Sequence, residues 1–309
     1  MTLLFVSAHD NADPWIAELT RQVPGLTVWR WPDMPDPAAV RYALVWKPPP
    51  GLLATLPNLE VVFSLGAGVD ALLKDPTLPR VPLVRMVEPG LTEGMTEYVC
   101  LHVLRWHRDA PLFERQQREK VWHQPVHQSL ARERRVGILG LGVLGSDAAA
   151  ALTALRFDVA GWSRTRKELP GVTCFHGQDQ LPDFLARTEI LVCLLPLTPD
   201  TAGILNARLF AGLPRGAVVI NAARGQHMVE RDLLDALESG HIAGATLDVF
   251  QEEPLPPDHP FWTHPRVTVT PHVAAITQAR TAVAQVVEGL RRARAGLPLQ
   301  NLVDRDLGY

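Results

Sequence analysis

A chain of 309 residues is about twice the usual single-domain length, which favours two domains with room for a core in each. Its 47% hydrophobic and 20% charged residues and formal net charge of −3 are those of an ordinary globular protein, without the domain-wide basic excess that nucleic acid demands. Cys100, Cys174 and Cys193, far apart and without a CxxC pair, exclude a disulfide framework or zinc ribbon. The start MTLLFVSAHD lacks a basic leader, and no uncharged apolar run reaches the roughly 18 residues of a membrane span. A cytoplasmic protein with no membrane and no nucleic-acid partner is expected.

Short apolar, β-branched runs at 3–7, 26–29, 42–46 and 61–65 alternate with helical stretches. A long segment follows, with one helix or two predicted over 92–120, interrupted near Pro111, and a polar loop over 121–135. A second series of strand-like runs restarts near Arg135, at 136–139, 159–162, 190–194, 218–221, 245–249 and 267–270. A helix is predicted over 277–295, stopped by Gly296 with Pro298 beyond. Such alternation predicts an α/β fold with parallel sheets covered on both faces. Two Rossmann-like domains are expected, one flavodoxin-like and one dinucleotide-binding, with a cleft between them. The first takes residues 1–100 plus 283–309, and the second, inserted into it, takes 101–282.

The run 136–139 leads directly into Gly140-Leu141-Gly142-Val143-Leu144-Gly145 and then into an alanine-rich helix. GxGxxG has physical meaning in this context. Gly140 permits a tight turn, Gly142 admits a pyrophosphate to the backbone, and Gly145 lets helix approach strand, with Val143 and Leu144 opening the helix beneath the phosphates. An acidic residue for the ribose 2′-hydroxyl belongs at the end of the next strand. There the sequence reads Ser163-Arg164-Thr165-Arg166-Lys167. Arg164 and Arg166 suit a 2′-phosphate and Ser163 adds a hydroxyl, so NADP(H) is expected as cofactor over NAD(H), which remains possible.

Three polar elements then follow three strands: Asn221 to Gly225 containing Arg224, Asp248 to Pro254 containing Glu253, and Thr270-Pro271-His272. Residues just past strand carboxyl ends line the ligand crevice of a doubly wound sheet. There Arg224 suits a substrate carboxylate, His272 suits proton exchange, and Glu253 suits holding the imidazole and favouring its charged form.

Through these four elements the chain resembles the D-isomer-specific 2-hydroxyacid dehydrogenases over almost its full length. Within them it is similar to the glyoxylate/hydroxypyruvate reductase A branch. The details that point there are Trp46 before a proline run, Trp162-Ser163-Arg164 with Arg166-Lys167, Val-Ala-Ala-Ile after His272, and the ending from Val303-Asp304-Arg305 to Gly308-Tyr309. The resemblance implies NADPH-dependent reduction of small 2-keto acids to 2-hydroxy acids without a metal, with Arg224, Glu253 and His272 as the catalytic set. It also implies substrate contacts from Trp46 and the backbone amides of Ala67 and Gly68, a cofactor wall of Leu195, Pro196 and Ala222, and Asp248 facing the nicotinamide. A homodimer is implied as well. Ala222-Ala223 departs from the β-branched residue or threonine of many members.

Other readings compete with this one. Another 2-hydroxyacid specificity within the family stands close by, and a nucleotide-sensing corepressor with the same Arg-Glu-His set stands further off, since no long tail is present to recruit partners. His123 and His127 have helical metal spacing, but Pro125 between them and the missing glutamate argue against a metal site. The basic run 291–294 reads as the solvated face of the last helix. Trp122 aligns with a loop that in related reductases reaches the neighbouring subunit, and either gates substrate or serves structure.

Overall fold

The computed structural model of the chain describes residues 1–8 and 10–309, and they fall into two compact units, Met1–Leu91 with Ile276–Tyr309, and Thr92–Ala275. The expected divisions near 100 and 283 lie inside helices, Pro89–His107 and Ala279–Arg294.

The first unit holds five parallel strands, β1 (Thr2–Val6), β2 (Thr27–Arg30), β3 (Val40–Val45), β4 (Val61–Ser64) and β5 (Leu83–Val84), in the order β2-β1-β3-β4-β5. Alternate side chains of each strand point to opposite faces. Leu3, Phe5, Tyr42, Leu44 and Phe63 meet Trp15 and Leu19 of helix Ala12–Gln22 and Val283, Val286 and Leu290 of helix Ala279–Arg294. Leu4, Val6, Ala43, Val45 and Val62 cover the other face with Leu53, Leu56, Val69 and Leu72. Since both faces are covered, the strands read as continuous apolar runs. Helix Ala279–Arg294 lies so close to β4 that a Cβ on Gly289 would stand 2.4 Å from the Phe63 ring. It ends in a Schellman turn, with Gly296 at φ +64° and the Leu297 N–H donating to the Arg292 carbonyl at 2.9 Å. The carboxyl-terminal stretch thus completes the unit that the amino-terminal stretch began.

The second unit is a seven-stranded parallel sheet of β6 (Arg135–Leu139), β7 (Asp158–Ser163), β8 (Thr173–His176), β9 (Ile190–Cys193), β10 (Ala217–Asn221), β11 (Ile242–Leu247) and β12 (Val267–Val269). Their order is β12-β11-β10-β9-β6-β7-β8. The chain runs from β6 outward to β8, returns to the other side of β6 and proceeds outward to β12. This reversal places a topological switch point between β6 and β9, where doubly wound sheets take their ligands. Alternation again sorts the core. Val136, Ile138, Ile190, Val192, Val218 and Ile220 pack on one face, and Leu139, Leu191, Cys193, Val219, Ala245 and Leu247 on the other.

Two features differ from the sequence expectation. The helical segment breaks at Arg108–Asp109, where Asp109 adopts φ +55°, and Pro111 falls in the first turn of the next helix, Ala110–Glu119. Proline is tolerated there because the first-turn N–H has no intrahelical partner to lose. The short strands β5 and β8 were not expected. No helix among the described residues is long and apolar enough to cross a membrane.

Candidate active site

The glycine loop joins β6 to helix Val143–Ala154, and its three glycines answer to three different constraints. Gly140 sits at φ +105°, where an added Cβ would stand 2.7 Å from the Leu194 carbonyl oxygen. At Gly145 a Cβ would come within 1.8 Å of the Gly140 oxygen, so helix and strand touch backbone to backbone. A Cβ on Gly142, by contrast, would meet no atom of the described residues within 4 Å. Nothing in the fold itself forbids a side chain at 142. The freedom there suits a diphosphate lying against the backbone at the helix N-terminus, whose first N–H groups have no intrahelical acceptor. The donor set therefore fits a dinucleotide.

Past β7, Ser163 is buried and its hydroxyl donates to the Thr165 carbonyl at 2.7 Å, tightening the turn that presents Arg164 and Arg166. Arg166 Nη2 lies 2.9 Å from Glu168 Oε1, both side chains well exposed. Such an exposed pair contributes little and leaves the guanidinium available to a stronger anion. Leu195 is buried behind β9, and Ala222 is buried behind β10.

Beyond β10, Asn221 is fully buried and builds the turn that carries Arg224: its amide Nδ2 donates to the Arg224 carbonyl at 3.0 Å, and its Oδ1 accepts the Ala223 N–H at 3.2 Å. Arg224 Nη1 donates to the Ala223 carbonyl at 2.7 Å. A Cβ on the next residue, Gly225, would fall 1.9 Å from the Phe250 carbonyl carbon, so only glycine lets this turn press against the segment leading to Glu253. Gln251 Nε2 donates to the Met228 carbonyl at 2.9 Å and fastens the same two segments.

Glu253 Oε2 stands 2.9 Å from His272 Nδ1, and Glu253 Oε1 accepts the Phe250 N–H at 3.2 Å. A carboxylate only accepts, so Nδ1 carries the ring proton and Nε2 is the nitrogen left for chemistry. The two side chains are 29% and 23% exposed, enough for a small molecule to reach them. His272 itself has φ +55°, an uncommon backbone conformation for any residue but glycine.

Asp248 accounts for that conformation. Its carbonyl oxygen accepts the His272 N–H at 2.8 Å, and its carboxylate oxygens accept the Val273 and Ala274 N–H groups at 2.9 Å each. The Thr270 hydroxyl donates to Asp248 Oδ1 at 2.6 Å, so the Tyr98 hydroxyl, 2.7 Å from Thr270 Oγ1, is the donor in that pair. Burial pushes the Tyr98 phenol above its ordinary value, and the nearby Asp248 charge acts the same way. Expected to face the nicotinamide, Asp248 has three of its roughly four acceptor positions engaged by the chain itself.

Within the first unit, Trp46 and the loop 66–69 are neighbours, since a Cβ on Gly66 would meet the Trp46 ring at 2.3 Å. Ala67 and Gly68 follow in the same loop, between β4 and helix Asp70–Leu73. Trp122 is 96% exposed beyond helix Ala110–Glu119. Sequence reading did not single out Tyr98 or the fully buried His227. Only spacing could have pointed to His227, three residues past Arg224, because its second partner lies 31 residues away.

The fold, the glycine loop and the Glu253–His272 pair define a dinucleotide-dependent oxidoreductase, and the sequence profile of the D-isomer specific 2-hydroxyacid dehydrogenase NAD binding domain matches residues 100–274. The chain belongs to the D-isomer specific 2-hydroxyacid dehydrogenase family. Among its relatives, the glyoxylate/hydroxypyruvate reductase A of Yersinia enterocolitica is 46% identical, with 100% of both chains covered. The crystal structure of a D-isomer specific 2-hydroxyacid dehydrogenase from Xanthobacter autotrophicus Py2 in complex with NADPH and MES superposes with a TM-score of 0.96 at 52% identity, covering 100% of this chain and 99% of that one. The NADPH-dependent glyoxylate/hydroxypyruvate reductase of Sinorhizobium meliloti in complex with NADP and sulfate gives 0.94 at 43% identity, with both chains fully covered.

Proposed function

We propose that this protein reduces small 2-keto acids, glyoxylate and hydroxypyruvate among them, to 2-hydroxy acids at the expense of NADPH. The Glu253–His272 pair carries the reading, because its 2.9 Å contact leaves Nε2 of a partly exposed histidine for proton transfer. The full-length similarity to the reductases of Yersinia enterocolitica and Sinorhizobium meliloti supports the substrate class.

When bound, NADPH supplies the hydride that adds to the keto carbon. As the carbonyl π electrons move onto oxygen, the proton on His272 Nε2 passes to that oxygen, and Glu253 retains the proton on Nδ1 and holds the ring in place. Arg224 offers a planar fork to the substrate carboxylate and steadies the charge gathering on the oxygen. Gly140, Gly142, Val143, Leu144 and Gly145 take the diphosphate; Ser163, Arg164 and Arg166 take the 2′-phosphate; Leu195, Pro196, Ala222 and Asp248 border the nicotinamide. Trp46 and the amides of Ala67 and Gly68 are assigned to the substrate on the family resemblance. Residues 1–100 with 283–309 serve as the substrate domain and 101–282 as the cofactor domain. The reading extends to a cytoplasmic homodimer, for which the exposed apolar side chains of Trp122 and Val126 give a physical motive.

Initial rates with NADPH and NADH against a panel of 2-keto acids test the proposal. NADPH is expected to be the better cofactor, and Arg164→Ala is expected to narrow the ratio about tenfold to a hundredfold, the worth of one charge-assisted contact of roughly 1.5–3 kcal/mol. Equal kcat/KM with both cofactors in the wild type refutes the assignment of the 163–166 turn, and no turnover of any 2-keto acid refutes the activity.

A further inference from the structure

His227 is fully buried at the end of the turn Gly225–His227, and its ring bridges two segments that are far apart in sequence. Its Nδ1 lies 3.2 Å from the Arg224 backbone nitrogen and 3.2 Å from the Arg224 carbonyl oxygen, and its Nε2 lies 3.2 Å from the Pro196 carbonyl oxygen. A backbone N–H donates and a carbonyl accepts. One tautomer gives each ring nitrogen a matched partner: a lone pair on Nδ1 facing the Arg224 N–H, and the proton on Nε2 facing the Pro196 carbonyl. The opposite tautomer would give Nδ1–H only the Arg224 carbonyl, which already accepts the Asn221 amide and the His227 N–H, would turn a proton toward the Arg224 N–H, and would set two lone pairs against each other at Pro196.

The rest of this junction is equally determined. The Arg224 carbonyl takes the Asn221 amide at 3.0 Å and the His227 N–H at 3.2 Å. The Pro196 carbonyl also accepts the Thr201 hydroxyl at 2.7 Å. Leu205 N–H donates to the His227 carbonyl at 2.8 Å, which locks the histidine's own backbone. Met228 next to it, Leu205 bonded to its carbonyl and Leu195 next to Pro196 belong to one apolar cluster. A leucine would fill such a place without needing partners, whereas a buried imidazole is costly unless both nitrogens are bonded. The ring's two bonds join the turn that bears Arg224 to the loop after β9.

We propose that His227, as the neutral Nε2–H tautomer, is a positioning residue that sets the Arg224 backbone against the Pro196 loop and so aims the guanidinium at the carboxylate of the 2-keto acid. The inference rests on the proposed reductase activity for its kinetic consequences, while the tautomer is independent of any activity.

The decisive experiment combines both. His227→Leu removes both bonds; His227→Asn keeps an acceptor oxygen where Nδ1 stands. With NADPH and glyoxylate, the leucine variant is expected to lose about ten- to a hundredfold in kcat/KM for glyoxylate, with NADPH affinity, read by fluorescence titration, within about threefold of wild type. The asparagine variant is expected to recover at least half of that loss on a logarithmic scale. In an Arg224→Ala background, His227→Leu is expected to cost little more, because the group it positions is already gone. Wild-type kcat/KM in the leucine variant, an asparagine variant no better than leucine, or losses that multiply in the double variant each overturn the proposal. Nitrogen-15 NMR of the wild-type imidazoles at neutral pH is expected to show one ring fixed as Nε2–H and missing from the His227→Asn spectrum; an Nδ1–H or doubly protonated His227 overturns it even if no keto acid is turned over. Absence of turnover in the wild type with the tautomer as stated refutes the reductase reading alone.

Discussion

Asp248 holds His272 by its backbone: the Asp248 carbonyl takes the His272 N–H at 2.8 Å while the same residue's carboxylate takes the two amides that follow. A left-handed, non-glycine residue costs on the order of 1–3 kcal/mol and persists only where its surroundings over-determine it. Three consecutive N–H groups directed at one buried residue do so here. The imidazole is thereby presented from a rigid turn, although Thr270-Pro271-His272 lies outside any helix or strand.

Replacing Asp248 by Asn tests this arrangement. An amide nitrogen cannot accept, so one of the two carboxylate contacts with 273–274 is lost and a buried donor is left unsatisfied, at about 1–3 kcal/mol. Asp248→Asn is expected to lower the thermal midpoint and to lower kcat more than it raises the KM for keto acid. A variant with wild-type midpoint and kcat shows that the clamp is dispensable.

His272→Asn keeps a polar side chain of similar reach but removes the group proposed to give up the proton. Turnover is expected to fall by about 10² to 10⁴ with NADPH binding nearly intact. Stopped-flow reduction of hydroxypyruvate under single-turnover conditions separates the chemical step from product release. If that step keeps within a few-fold of the wild-type rate, the proton comes from elsewhere.

The glycine loop offers a paired test of fold against ligand. Gly142→Ala adds a methyl group where the described residues have no atom within 4 Å, so stability is expected to hold while NADPH affinity drops. Gly145→Ala places a carbon 1.8 Å from the Gly140 oxygen and is expected to lower both. Thermal midpoints with and without NADPH read the two effects. An alanine at 142 that leaves NADPH affinity unchanged removes the diphosphate from this loop.

Stability is expected to depend on His102, which is 5% exposed, lies against Tyr98 with ring centroids 4.3 Å apart and the planes tilted by 52°, and has no partner for Nδ1 among the described residues. Burial, reinforced by the Arg105 charge and opposed by Asp248, pulls its imidazole down to about 4 from 6.5. Between those values the unfolded chain binds a proton that the folded chain refuses, so stability falls as pH drops through this window and the loss levels off below it. Burial also lowers His107, which adds in the same direction. Thermal midpoints measured from neutral pH to about pH 4 are expected to fall less steeply for His102→Leu than for wild type. Parallel curves would assign the slope to other groups.

Much of this protein is determined locally and is legible residue by residue. The continuous apolar runs at 136–139, 190–194 and 218–221 predict buried parallel strands because both faces of each strand are covered, and GxGxxG between strand and helix predicts a phosphate loop because each glycine answers a backbone requirement. Arg224, Glu253 and His272 stand out because each follows a strand. Leu83–Val84 and Thr173–His176 escaped that reading, the first for its length of two residues and the second because its Thr-Cys-Phe-His has neither strong alternation nor full burial. Tertiary structure alone decided which atoms meet. The Asp248 carboxylate finds amides 25 and 26 residues away, Glu253 finds His272 across 19, and His227 finds Pro196 across 31. Hydrogen-bond partners, ring tautomers and the left-handed turn at His272 depend on distances between strands that only the closed sheet brings side by side, so no local pattern of residue types encodes them.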